Sequence, residues 1–362
     1  MLVVEYATAT LKCSNQYTEL LTEGFSMAYT LAKLLNNYVE THILISHSLS
    51  HVHRYVINTA RYIDCSHFDE NISEIAEEYD RIIVIAPPIE LIKLAKILDG
   101  KMWGPTTNMI EILSDKHTTI AALERCGITV PKTVEIRGVS DVDFESLEYP
   151  VVVKPCMLAG SECVYMSRNP NDAKKYVAKA LMCDPLHRAV IQQYVEGAHG
   201  SISTIMGHGK IIFYSVNKQL IELENNIFRY RGNILPVRDS GIVKNVHELL
   251  VKFAQCYSDV EGHIGFDVVI RNQKPIVVEA NPRLTTPFIA IAKLYPEVGR
   301  MIIDTMMNRP LDTHIYLGNV TDKTATIILM ERESEAHHLV FDDSTFIYGK
   351  RELRLSIDYP SG

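Results

Sequence analysis

The sequence predicts a mixed architecture: a parallel, doubly wound α/β sheet at the amino end, then an α+β region that closes on an acid-bearing β-hairpin. Three observations carry this. Residues 1 to about 105 alternate short apolar strands with helical patterns, and the intervening lengths suit parallel crossovers. Gly104-Pro105 then breaks the alternation. Late in the chain, the β-branched runs Ile264–Ile270 and Ile276–Arg283 flank the polar turn Asn272–Pro275, which reads as a hairpin.

In chain order, the first region gives a strand over Leu2–Tyr6, a helix near Tyr17–Asn36, and strands at His42–Ser46 and Tyr62–Asp64. A helix over Ile72–Glu78, a strand over Arg81–Ala86 and a helix over Ile89–Leu98 complete it. The segment after the first strand has no Gly-x-Gly-x-x-Gly, so a dinucleotide fingerprint is absent. It still lies at the carboxyl end of a strand, where such sheets bind ligands, and makes Glu5, Tyr6 and Thr8 candidates for an acceptor site.

Beyond the break, Asp115-Lys116 opens a helix that runs through Arg125. The strand Tyr149–Pro155 is apolar until Lys154, and a lysine there needs an anion or an exit to water. Met157–Glu162 follows as a small-residue loop, including Ala159, Gly160 and Ser161, of the kind whose N–H groups lie over phosphates. After a helix over Pro170–Met182, the strand through Gln192 and Gln193 leads into a hinge at Tyr194–Gly200. The Gln192 amide and the backbone of Gln193 and Val195 suit an adenine edge. A further strand runs from Ser201 to Met206.

The hairpin supplies the chemistry. Folding about residues 272 to 275 brings Asp267 near Glu279, and two carboxylates ~4 Å apart at an effective dielectric of ~20 repel by about 4 kcal/mol. A divalent cation between them removes the conflict. Strand alternation puts Asn281 and Arg283 on the Glu279 face, so the donors Asp267, Glu279 and Asn281 are all hard oxygens. That set favours Mg²⁺ over zinc, and Arg283 points a guanidinium at the anion the metal holds.

Composition excludes other classes. Of 362 residues, 47% are apolar and 22% charged, and the net charge is −8 with no basic cluster, which argues against nucleic acid or an anionic membrane as partner. No apolar run is long enough to span a bilayer and Met1–Val4 lacks the basic head of a signal peptide, so a cytoplasmic protein is expected. Seven cysteines without a Cys-x-x-Cys pair are expected to be buried thiols rather than a disulfide framework. His42, His47, His51 and His53, and the pair His337-His338, lack acidic or thiol companions and read as solvated loop residues.

Taken in order, Asp115-Lys116, Val153-Lys154-Pro155, the small-residue loop, Gln192–Gly197, Gly265-Phe266-Asp267 and Glu279–Arg283 resemble the ATP-grasp superfamily, over roughly residues 105 to 310. The closing Glu-Ala-Asn-Pro-Arg-Leu is similar to the carbamoyl-phosphate-synthetase-like branch. Val4–Thr8, Ser215–Gln219 and Tyr230–Asn233 look like the tyramine-glutamate ligases of methanofuran synthesis. The resemblance implies an ATP-grasp fold with an amino-terminal pre-ATP-grasp domain (1–105), a lid and first subdomain (106–195), a second subdomain with the metal site (196–310) and a carboxyl-terminal extension (311–362). By position it assigns Lys116 and Lys154 to the nucleotide phosphates, Ala159–Ser161 to the loop above them, and Gln192, Gln193, Tyr194 and Val195 to adenine. His199 falls where many members place a ribose-binding Glu, and Asn217, Lys218 and Arg231 point toward the same cleft. Lys154 and Arg283 become catalytic, offsetting charge on the transferring phosphoryl group. The cofactors implied are ATP and Mg²⁺, or Mn²⁺ in its place; the partners are a small carboxylate and an amine, and the family admits homodimers. The activity implied is an ADP-forming carboxylate-amine ligase working through an acyl-phosphate. A nucleotide-responsive binding protein without ligase activity and a biotin-carboxylase-like bicarbonate kinase stay open as rivals.

Overall fold

The computed structural model describes residues 1–11, 13, 18–52, 56 and 59–360. Strands β1 (Leu2–Glu5), β2 (His42–Ser46), β3 (Ala60–Ile63) and β4 (Ile82–Ile85) form a parallel sheet in the order β3-β2-β1-β4. Every residue of β1 and β4 is buried, as parallel strands covered on both faces require. Helices α1 (Tyr6–Thr10), α2 (Leu21–Leu35), α3 (Phe68–Ala76) and α4 (Pro88–Ile97) make the crossovers. The doubly wound expectation holds, with two local differences. The segment after β1 is not an open loop but the single turn α1, nucleated because the Glu5 carboxylate accepts from the N–H of Ala7 (3.1 Å) and Thr8 (2.8 Å). The predicted helix start at Tyr17 lies outside the described residues; α2 begins at Leu21, after a 3₁₀ turn over Thr18–Leu20.

A surface helix shows one apolar stripe, but α2 buries twelve of its fifteen residues. The cause lies at the other end of the chain. The expected extension contributes β15 (Thr324–Phe341) and β16 (Thr345–Asp358), and this hairpin packs on α2, with Phe25 edge-to-face on Phe341 at 4.8 Å.

The second sheet has twelve strands, nine of them in the order β13-β12-β9-β10-β11-β7-β6-β8-β5. Helices α5 (Thr107–Ser114) and α6 (Lys116–Arg125) lead into it. Then come β5 (Thr133–Ile136), β6 (Val151–Pro155), β7 (Tyr165–Ser167), α7 (Pro170–Cys183) and β8 (Ala189–Gln193). β9 (Ala198–Gly207), β10 (Lys210–Glu224) and β11 (Ile227–Leu235) form an antiparallel meander. After α8 (Ser240–Cys256), the hairpin β12 (Gly262–Arg271) and β13 (Lys274–Asn281) closes one edge. Its turn is only Asn272-Gln273, both at positive φ (50° and 63°), the geometry of a two-residue hairpin and tighter than the four residues expected. Helices α9 (Phe288–Leu294) and α10 (Val298–Met306), strand β14 (Ile315–Tyr316) beside β10, and the short α11 (Leu317–Val320) lead to β15, which pairs with β11.

The cysteine expectation is corrected. Six of the seven are joined as Cys13–Cys65, Cys126–Cys256 and Cys163–Cys183, and only Cys156 is a buried free thiol. The partners lie 52, 130 and 20 residues apart, so no local spacing reveals them; the fold brings them together. No helix among the described residues is long and apolar enough to cross a membrane.

Candidate active site

One cleft of about 250 Å³ lies between the parallel sheet and the large sheet, and it is lined from both. Its floor is the β12–β13 hairpin. Val268 faces Val277, yet Asp267 faces Glu279, so β13 carries one extra residue, Val278. In an unbroken ladder Asp267 would oppose Val278, and Glu279 would project from the other face. The bulge therefore makes the acid pair, and it also frees the Val278 carbonyl, which accepts from Lys154 Nζ at 2.9 Å.

Burial and then Glu279 raise the Asp267 carboxyl to about 6, against hydrogen bonding from Gln219 Nε2 at 2.7 Å. The Asn281 amide reaches Asp267 Oδ2 at 3.5 Å. Lys116 and Lys154, each 4% exposed, approach Glu279 at 3.2 and 4.0 Å. Burial lowers the Lys154 ammonium to about 8, although Glu279 favours its charge. Lys116 also donates to the Leu158 carbonyl, tying the small-residue loop down. In that loop Gly160 and Ser161 have φ of +71° and +60°, left-handed backbone that turns the chain over the cleft.

The donor chemistry fits Mg²⁺: an opposed carboxylate pair, with the Asn281 carbonyl as a third oxygen. Among the described residues no cluster of three or more His, Cys, Asp and Glu could hold a metal, so the Asn281 oxygen is needed to complete the set.

Along the β8–β9 wall, Gln192, Gln193, Tyr194, Val195 and His199 line the cleft. The Gln192 amide nitrogen donates to Thr133 Oγ1 at 3.0 Å, so its side chain braces β5 while facing the space. His199 meets Phe228 edge-to-face at 6.1 Å, and burial lowers its pKa. Val152, Ile221, Phe228 and Val269 add apolar walls suited to a flat ring.

Asn217, Lys218 and Arg231 are not brought to this cleft. Asn217 is fully buried behind the wall, bonded to Ser201, Ser203 and Ser215. Lys218 is exposed on the other face of β10, and Arg231 pairs outward with Glu222 (2.8 Å) and Glu224 (3.1 Å). Period 2 along β10 turns Lys218 away, while on the Asn217 face it is Gln219 and Ile221, further along, that reach the cavity. Tyr230, next to Arg231, also lines it.

Of the acceptor candidates Glu5 lines the cleft, whereas Thr8 is buried beneath it and Tyr6 packs on Phe68. Glu23, from α2, was invisible to motif reading and also lines it; it accepts from Thr286 Oγ1 at 2.8 Å. Of the histidines, His42 begins β2 with Nδ1 against Tyr79 Oη at 2.7 Å and His47 stacks on Tyr62; His53 lies outside the described residues.

This sheet order and cleft define the ATP-grasp fold, and residues 113–287 match the ATP-grasp domain family. The chain thus carries an ATP-grasp domain behind a parallel-sheet region. It is 24% identical over 229 residues to the carbamoyl phosphate synthase large chain of Thermotoga maritima, covering 61% of this chain and 21% of that one. To the tyramine–L-glutamate ligase of Methanocaldococcus jannaschii it is 25% identical over 241 residues, 65% of this chain and 66% of that one. The biotin carboxylase domain of Hydrogenobacter thermophilus 2-oxoglutarate carboxylase, solved with MgADP and bicarbonate, superposes with a TM-score of 0.73 at 14% identity, over 98% of this chain and 85% of that one. The chain spans about a fifth of the synthase and just under two thirds of the archaeal ligase.

Proposed function

We propose that the protein is an ATP-dependent carboxylate-amine ligase that forms an amide through an acyl-phosphate. The observation that carries this reading is the single cleft that unites two buried lysines, an opposed acid pair and Arg283 with an apolar slot at one end and an acidic chamber at the other. The slot and the Val195 backbone would hold adenine, with Gln193 and His199 beside it. Lys116 and Lys154 would turn from Glu279 to the phosphates, and the loop at Gly160 would cover them. Asp267, Glu279 and Asn281 would hold Mg²⁺, which when bound screens the phosphate charge.

Arg283 has no carboxylate partner among the described residues; it donates to the Leu284 carbonyl at 3.0 Å. Its remaining N–H groups would orient the substrate carboxylate and offset charge on the phosphoryl group as the carboxylate attacks it. Walls from two sheets keep water from the acyl-phosphate until an amine captures it. The relative from M. jannaschii suggests glutamate as the acid and tyramine as the amine. The test is incubation with ATP, Mg²⁺, L-glutamate and tyramine, with ADP and the coupled product followed together. Amide formation matched by ADP supports the reading. ADP formation dependent on bicarbonate alone, or none with any acid and amine pool, overturns it.

A further inference from the structure

The acidic chamber, which begins where the chain leaves β13 at Arg283 and Thr286, has its own structure. Glu5 is 3% exposed, and its carboxylate lies against α2 at Gly24, where a Cβ would stand 2.4 Å from Glu5 Cδ. Glu23, the residue before Gly24 on α2, lines the same cleft, and the charge of Arg283 acts on both carboxylates. Both acids line the cleft, yet neither is ion-paired among the described residues; their hydrogen bonds come from backbone N–H groups and the hydroxyls of Thr8 and Thr286. Capping the five-residue α1 does not account for Glu5, because Ser, Thr or Asp caps a turn without burying a longer carboxylate. Arg283 acts through its charge on both acids and also on Glu279 and Asp267, and Arg351, which acts on Glu23, is itself paired with Glu19 at 3.2 Å, so both cations are shared with other carboxylates on walls fixed by β1 and α2. The cavity runs on from the phosphate end without interruption.

We propose that this chamber is the amine subsite: Glu23 holds the ammonium of a cationic primary amine, and Glu5 takes a proton from it as the nitrogen attacks the acyl-phosphate. The inference rests on the ligase reading and assigns the amine of that reading its place in the cleft and its proton acceptor. In the step, the ammonium gives one proton to Glu5 and the freed lone pair forms the C–N bond. The C–O bond to phosphate breaks with its electron pair, and the second N–H proton leaves with inorganic phosphate. Burial supports the role, since it raises the Glu5 carboxyl to about 7 against the bonds from Thr8 and Ala7 and the charge of Arg283, close to the best value for a base at neutral pH.

The experiment supplies the whole protein with ATP, Mg²⁺ and a pool of amino acids, and offers tyramine and hydroxylamine together. Tyramine is cationic at neutral pH; hydroxylamine is neutral there and captures acyl-phosphates as hydroxamates. Mass spectrometry gives the ratio of amide to hydroxamate. Glu23→Gln, which keeps an acceptor for Thr286, and Glu5→Gln are each expected to lower that ratio at least tenfold. An unchanged ratio in either folded variant overturns the proposal, and Glu23→Gln alone decides it if Glu5→Gln does not fold. Wild-type protein that makes hydroxamate but no amide with any primary amine also overturns it. Wild-type protein that makes neither product sinks the ligase reading instead, so the two failures are distinct.

Discussion

At the hairpin end of the cleft Glu279 meets two ammonium groups, Lys116 at 3.2 Å and Lys154 at 4.0 Å, whereas at the other end Glu5 and Glu23 meet only hydroxyls and backbone N–H groups. Both ends are acidic, yet they ask for different ligands. Where cations are built in, an arriving polyphosphate competes with Glu279 for the lysines, and a metal relieves the acids they leave. Where the acids are bonded only by neutral donors and the nearby guanidinium of Arg283 is shared with Glu279 and Asp267, the incoming molecule brings the further positive charge. Counting carboxylates would not separate the two ends; tracing what each one touches does.

The largest effect should come from breaking the hairpin end. Glu279→Gln removes the charge that opposes Asp267 and anchors both lysines, and turnover, read as ADP release with saturating substrates, is expected to fall by about 10³-fold. Circular dichroism should be unchanged, and normal ADP release would end the metal assignment.

A smaller and more selective effect is expected at the other end from Gly24→Ala. Its new Cβ would stand 2.4–2.7 Å from the Glu5 carboxylate, which must move. The KM for the amine should rise about tenfold while the KM for ATP stays within about twofold, because displaced acceptor contacts cost the step they orient. Equal changes in both would erase the distinction between the ends.

The smallest effect concerns His263, packed between Trp103 and Phe288 in a small cavity that Arg283 also lines. Burial lowers its pKa from 6.5 to about 3, and its Nε2 has no hydrogen-bond partner among the described residues. The folded state therefore binds fewer protons than the unfolded chain between about pH 3 and 6.5, so this stability is present above 6.5 and is lost as pH falls through that window. Wild type should lose on the order of 2 kcal/mol from this group between pH 6.5 and 5. His263→Leu, measured by denaturant titration at both values, should remove that part of the slope. An unaltered slope would mean that this histidine is not held neutral.

The sequence alone determined the alternation that gives a parallel sheet, the order of motifs along the large sheet, and the residue types of the phosphate end. These are legible because they are local: strand period, a lysine in an apolar run, acids in β-branched strands. Tertiary structure decided the rest. The bulge at Val278 sets which face Glu279 takes, and a one-residue shift there would undo the acid pair that a plain fold-over of the hairpin predicts. Asn217 and Gln219 share a face of β10, and only the closing of neighbouring strands sends one behind the wall and the other into the cleft. Glu5 and Glu23 line one cleft because α2 is clamped between the first sheet and the last hairpin, and the cysteine pairs meet because distant segments pack. Contacts of that kind depend on where the chain returns after tens or hundreds of residues, and no window along the sequence contains that information.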